Sequence, residues 1–450
     1  MTLAASPLSA SAMRRHDLRG GSVLYFARLA PECNGGLYLD QCDLRRRVTL
    51  ALEMADQTLT AALKEHPSSP APPGERLLLL QKVVTESALL LRCCAFLRAV
   101  DPDLAARIDR LAAQLAPLAR SESVRASLCR EPACAIEHAA AHAVLTDFGV
   151  ADATFDALLT HVLGSNESAA GERLAGQDLE REWLLQVRAG AARSGSPDRG
   201  LLCRSVAARP LDALRASSND LYALTHVLLH ATDMGQRGVA RPRGQAQMVE
   251  DAEAALALSL DADNLDLVAE VLWIWPMAGL TWTPAAVFAF ELLAAVQDKN
   301  GFLPGPEYSH ENEANGELPW SQHVLRTSYH TTYVMAFLCA AMIRARPVAL
   351  TQGAASRVGN PNVLKQITRL LNRENRTPRW LVAINLLAPV GQVALAPLLL
   401  TAALRRAAAT SDLVRLRECL VVGLDHGLAE GSAFEQGVRL LERATQFACM

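Results

Sequence analysis

Apolar residues recur every three or four positions along most of the chain, a period that gathers them on one side of a helix. In A-L-E-M-A-D-Q-T-L-T-A-A-L, residues 51–63, Leu52, Leu59 and Leu63 share such a face. The same period predicts helices near 75–98, 102–117, 133–146, 151–164, 173–191, 201–215, 219–232, 247–260, 264–278, 284–297 and 327–345. Breakers separate them: S-S-P-A-P-P-G at 68–74, G-S-P-D-R-G at 195–200, and glycine with proline near 238–244 and 301–306. Strand-forming runs of β-branched residues are few, so the pattern predicts an all-α protein. About a dozen helices on short loops build either an open solenoid or a closed ring of hairpins. The expected organisation is a disordered leader at 1–20, a helical domain at 21–347, a polar linker at 348–362 and a C-terminal helical module at 363–450.

Composition narrows the picture by exclusion. A chain of 450 residues is long enough for two domains or one large ring. Its formal net charge of -3 provides no basic face for nucleic acid or an anionic membrane. No apolar run approaches the roughly 20 residues that cross a bilayer. The ten cysteines lack zinc-ribbon spacing and fit reduced thiols of a soluble, cytoplasmic protein. No phosphate-gripping loop, dinucleotide fingerprint or nucleophile elbow is present.

The candidate chemistry starts in N-D-L-Y-A-L-T-H-V-L-L-H-A-T-D-M-G, residues 219–235. His226 and His230 are one turn apart, and Asp233 continues their line if the helix persists. Two imidazoles and a carboxylate make a facial metal set suited to zinc or iron. His330, in S-Y-H-T-T-Y-V, is the expected further ligand or base, completing a metal set of His226, His230, Asp233 and His330. The expected catalytic residues are His226, Asp233 and His330, with Tyr222 and Tyr329 as hydrogen-bonding partners. The alternative is a face of packed, structural histidines with Asp233 closing the helix. E-H-A-A-A-H-A-V-L-T-D-F-G, residues 137–149, repeats the theme through Glu137, His138, His142 and Asp147 and reads as a structural repeat of a helical array, with a divergent internal copy of the later motif as the alternative.

A second cluster, S-L-D-A-D-N-L-D-L-V-A-E at 259–270, gathers four acids. Desolvated neighbouring carboxylates hold one another's protons, which would serve acid catalysis. The plainer reading makes Asp263 a helix cap, Asp266 a first-turn acid and Glu270 a residue facing cavity or solvent. Trp273, Trp282, Tyr308, Trp320, His323 and Tyr333 are the expected substrate-pocket residues, with the loop 300–325 as the rim.

The stretch A-F-E-L-L-A-A-V-Q-D-K-N-G-F-L-P, residues 289–304, resembles the glutamine-to-aromatic repeat of terpenoid cyclases and prenyltransferase β-subunits, with Leu303 where those proteins carry tryptophan. The resemblance implies an α/α toroid, here with additional C-terminal helices, in which Gln297 ends an outer helix and ties it to the next loop. A side-chain bond from Gln297 to orphan carbonyls, with Gly301 turning the chain, is the expected geometry. D-A-D-N at 261–264 resembles the D-x-D-D motif of proton-initiated terpene cyclases, with Asn264 replacing the final aspartate. T-H-V-L-L-H-A-T-D-M-G and S-Y-H-T-T-Y-V are similar to motifs of an uncharacterised bacterial toroid-like family, which implies ancestry and no activity.

The expectation is a lyase or cyclase of bacterial specialised metabolism, acting on a small apolar or mixed-polarity substrate with zinc, iron or no cofactor. One alternative is a metal-free, proton-initiated cyclase. Another is a non-catalytic helical scaffold that binds a protein or peptide. The C-terminal helices are candidates for self-association into a homo-oligomer.

Overall fold

The apolar periodicity becomes helix throughout: the described residues contain twenty α-helices and no strand. The structure, a computed structural model, describes residues 40–65, 79–190, 198–238, 243–309, 320–345, 361–371 and 378–448. The expected leader at 1–20, the rim residues 310–319 and most of the linker at 348–362 lie outside them, as does the side chain of Trp320. In chain order the helices begin with α1 (Gln41–Glu65), α2 (Leu80–Cys94), α3 (Pro102–Leu118), α4 (Glu122–Arg130), α5 (Ala135–His138), α6 (Ala140–Asp147) and α7 (Ala153–Leu163). They continue with α8 (Ala175–Arg188), α9 (Arg199–Arg204), α10 (Ser218–Ala231), α11 (Gln245–Asp261), α12 (Leu265–Ala278), α13 (Pro284–Asn300) and α14 (Trp320–Ala345). The C-terminal set is α15 (Pro361–Leu371), α16 (Arg379–Asn385), α17 (Pro389–Ala394), α18 (Ala396–Ala409), α19 (Leu413–Asp425) and α20 (Ser432–Ala448).

Six helices form a closed circuit of neighbours: α2 touches α6, then α8, α10, α12 and α14 follow, and α14 returns to α2. The others back them, with α1 against α14 and α2, α3 against α2, α9 against α8, and α11 and α13 against α12. This circuit is compatible with the toroid expected from the glutamine motif. The inner helices run in one sense. Between α2 and α14, Glu86 meets His330, Ser87 meets Tyr333, and Phe96, just past α2, meets Arg344. Between α10 and α12, Tyr222 meets Asp266 and Thr225 meets Glu270. Residue numbers therefore rise together from one end of the circuit to the other.

α12 fixes the depth of the candidate site. Its sequence L-D-L-V-A-E-V-L-W-I-W is buried on every side, as expected for a helix apolar all round. Asn264, not Asp263, caps it: the Asn264 side chain accepts from the Leu267 amide at 3.1 Å. Asp263 is displaced from that role because it takes a left-handed backbone (φ 56°) and pairs with Arg379 at 3.1 Å. At the far end Gly279 adopts φ 59°, a conformation that costs glycine nothing, and stops the helix.

The glutamine motif turns as expected at Gly301 (φ 75°), whose amide donates to the Gln297 carbonyl at 2.8 Å. The Gln297 side chain behaves differently. Its oxygen accepts from the fully buried Arg47 of α1 at 2.7 Å, so it ties α13 to α1 rather than capping its own helix. Arg47 also reaches Asp43 at 2.8 Å and Asp298 at 3.0 Å, which supplies the counter-charge a buried guanidinium requires. After the turn, residues 302–305 lie against α14, and Gly305 passes so close to the Thr327 carbonyl that no side chain fits there.

The C-terminal helices pack on one another and on the outer layer, with α18 and α20 against α11. Arg406 forks onto Asp261 at 2.6 and 2.9 Å, and Arg405 donates to the Ala213 carbonyl at 2.9 Å. Two acids of the 259–270 cluster, Asp261 and Asp263, thus hold this C-terminal part and are not available to a reaction centre. No described helix is long and apolar enough to cross a membrane.

Candidate functional site

Asp266 and Glu270 are the only charged residues of α12 and stand one turn apart, so both carboxylates leave the same face. That face looks into the circuit. Asp266 accepts from Tyr222 Oη at 2.9 Å and from Thr331 Oγ1 at 2.9 Å, and Glu270 accepts from Thr225 Oγ1 at 2.6 Å. His330 of α14 completes the group, with Nε2 3.5 Å from Asp266 Oδ1 and 3.8 Å from Glu270 Oε1. One donor atom from each of Asp266, Glu270 and His330 lies within 4.8 Å of the others. Glu86 of α2 stands 3.3 Å from His330 Nδ1, and His226 Nε2 stands 3.7 Å from Glu270 Oε2. The two acids are buried, His330 is about one-third exposed (35%), and His226 is half exposed (54%), so the imidazoles stand nearer to solvent than the carboxylates.

The electrostatics separate the two acids. Burial raises the Asp266 carboxyl and outweighs its hydrogen bonds and the charge on His330. Burial also acts to raise Glu270, but His226 and His330 together overcome it and hold that group down to about 2. His330 is desolvated, yet Asp266, Glu270 and Glu86 keep it charged well above the usual imidazole range. His226 is raised too, since Glu270 and Glu180 outweigh its burial. Two carboxyls one turn apart are therefore shifted in opposite directions, an arrangement that suits an acid beside a base.

The expected line of His226, His230 and Asp233 does not form. α10 stops at Ala231, and Asp233 and Met234 adopt left-handed backbones (φ 51° and 57°). This turn swings the Asp233 carboxylate away from the histidines onto Arg92, at 2.8 Å to both Nε and Nη2, and onto Trp183 Nε1 at 2.7 Å. Asp147, at the end of α6, meets Arg92 Nη1 at 2.8 Å. The T-D-F-G and T-D-M-G segments thus converge on one guanidinium, and their aspartates serve the frame. His142 and His138 face elsewhere, paired with Asp156 at 3.1 Å and Glu131 at 3.0 Å.

His230 lies one turn below His226, its ring 5.1 Å from that of Trp183, with Nδ1 lacking a hydrogen-bond partner among the described residues. Burial depresses its pKa to about 3, so it is neutral in the fold and brings no charge to the acid cluster. Unfolded His230 binds a proton near pH 6.5 while the folded group resists it, so stability is full above that pH and falls toward about 3. At pH 5 the penalty is about 2 kcal/mol. Urea unfolding of His230→Leu at pH 7.5 and pH 5 should show a smaller loss on acidification than the parent by that amount; equal losses would contradict a neutral buried imidazole.

The expected pocket residues divide. Trp273 faces Phe337 at 5.2 Å inside the circuit, and Tyr333 is buried with its hydroxyl 3.2 Å from Ser87 Oγ. Trp282 packs with Trp275 at 6.3 Å and Phe290 at 6.2 Å, in core between α12 and α13 rather than on a pocket wall. Tyr308 and His323 stack at 5.6 Å. Tyr329 hydrogen-bonds Glu86, the acid beside His330. Sequence reasoning missed Glu86, Glu180, Thr225 and Arg92. The missed signal was a lone acid inside an apolar run, as in V-V-T-E-S-A-L-L-L at 83–91.

No curated protein and no solved structure matches the chain. One family model does, over residues 49–340, a span that holds the acid and histidine cluster and stops before the C-terminal helices. By that match the chain belongs to the family described as "Domain of unknown function (DUF6895)".

Proposed function

We propose that the protein is a metal-dependent enzyme of the lyase or cyclase class, with Asp266, Glu270 and His330 as ligands of one divalent cation. The observation that carries this reading is the meeting of those three donors within 4.8 Å of one another. Tyr222, Thr225 and Thr331 hold the carboxylates in place, as outer hydrogen bonds do around metal ligands. One imidazole nitrogen with two carboxylate oxygens suits zinc, iron or manganese. Compared with the sequence expectation, His330 stays in the ligand set while Asp266 and Glu270 replace His226, His230 and Asp233. Three carboxylates with one imidazole also favour a cation over the proton that His330 otherwise carries.

A bound cation would polarise an oxygen or stabilise a leaving group on the substrate. His226, half exposed beside Glu270, would move the proton. A metal-free reading rests on the opposite tendencies of Asp266 and Glu270, with Asp266 as the proton donor. Self-association through α19 and α20 is the companion proposal: Val421 and Leu424 lie exposed along a groove of about 500 Å³, and light scattering reads the mass.

The deciding experiment is elemental analysis and metal titration of untagged protein. Near-stoichiometric zinc, iron or manganese, bound less tightly as pH falls, is the expected result. Protein that stays metal-free under metal-replete conditions would remove the cation and leave the proton-transfer reading. Absence of both metal and turnover would favour the scaffold.

A further inference from the structure

Opposite the acid cluster, the ends of α2, α6, α10 and α14 surround a cavity of about 550 Å³. Arg92, Arg98, Arg237 and Arg344 line it, with Asp147 and Asp233 as its acids, so guanidinium groups outnumber carboxylates four to two. Arg92 is engaged by both aspartates. Arg98 pairs with Asp109 at 2.8 Å and lies over Phe148 at 4.6 Å. Arg344 differs. It lies over Phe96 at 4.2 Å, is half buried, and has no carboxylate within ion-pair distance among the described residues. Gln236, on the same wall, buries an amide nitrogen that has no hydrogen-bond partner there.

A guanidinium stacked on an aromatic ring uses its face and keeps its edge, where the N–H groups lie in one plane and match the paired oxygens of a carboxylate or phosphate. Helix C-termini attract arginines through their dipoles, which accounts for basic residues at this end of parallel helices. The dipole does not account for a cavity beside them, for an unpaired amide donor, or for a half-buried arginine that forms no ion pair among the described residues. Burial lowers the pKa of Arg344 and the neighbouring charge of Arg92 adds to it, against the opposing pull of Asp233. The volume suits a small organic ligand.

We propose that this cavity binds a small organic anion whose oxyanion group, phosphate or carboxylate, is held by Arg344 and the Gln236 amide, with Phe96 and Phe148 beside its apolar part. The site stands apart from the metal reading and does not depend on it.

Calorimetry of the full chain at low ionic strength tests the site, with inorganic phosphate, pyrophosphate and succinate as probes. The expected result is saturable binding of at least one probe, weakened about tenfold or more in Arg344→Gln, an effect of the size of a lost charge-assisted contact. Gln236→Ala should weaken it less, and Arg344→Lys, which keeps the charge without the fork, should fall between. Tighter binding of the phosphates than of succinate would identify a phosphorylated ligand, and the reverse a carboxylate. Thermal unfolding midpoints close to the parent's show that the variants fold. Failure of all three probes to bind the parent, or equal binding to folded Arg344→Gln, would overturn the proposal.

Discussion

Arg92→Met should cost about 3–5 kcal/mol in urea unfolding, the range for removing one partner of a buried ion pair. The size follows from what is left behind. Asp233 is buried, and its two bonds from the guanidinium have no replacement among the described residues; only the Trp183 indole still donates to it. Asp147, about one-third exposed, can turn to water and adds less. The variant should recover part of the loss when combined with Asp233→Asn, because the uncompensated charge is then gone and only the lost hydrogen bonds remain. Arg92→Lys should fall between, since one ammonium cannot fork onto Asp233 and still reach Asp147. A loss below about 1 kcal/mol for Arg92→Met would mean that the pair is not the clamp its geometry describes.

Glu270→Gln should lower metal affinity by more than about 100-fold, exceeding the 10–100-fold typical of an outer partner. Glu270 is the centre of the cluster: one oxygen faces His330, the other faces His226 and accepts from Thr225. The amide keeps the shape and removes the charge, so the ligand set retains one carboxylate and one imidazole. Thr225→Val should cost less, within the outer-partner range. Asp233→Asn should leave metal content unchanged, the reverse of what the sequence spacing implies. Titration with zinc, monitored by competition with a chromogenic chelator, reads all three. Unchanged affinity in folded Glu270→Gln would remove this acid from the ligand set.

The helices were legible in the sequence because apolar spacing reports burial directly, and Gly301 because few other residues turn a chain with positive φ. The site was only partly legible. His330, Tyr222 and Tyr329, singled out by their motifs, lie at or beside the acid cluster. Asp233 was misplaced because the spacing argument assumed another helical turn, whereas T-D-M-G leaves the helix through two left-handed residues. Asp266 and Glu270 stand in an acid-rich segment, but their neighbours Asp261 and Asp263 make it read as one motif. The structure divides that segment by direction, outward to Arg406 and Arg379 and inward to His330. Glu86 comes from a helix nearly 250 residues away from His330, and no local pattern could have joined them.

Linear stacks of helical hairpins lose their terminal units first, since an end unit has one neighbour where the others have two. Six helices that return to their starting point have no such end. α2 is held beside both α14 and α6, and Arg92 fastens it to the tips of α6 and α10. Amide hydrogens in all six helices should therefore exchange together, as one cooperative unit, while those of α19 and α20 at the margin exchange ahead of them.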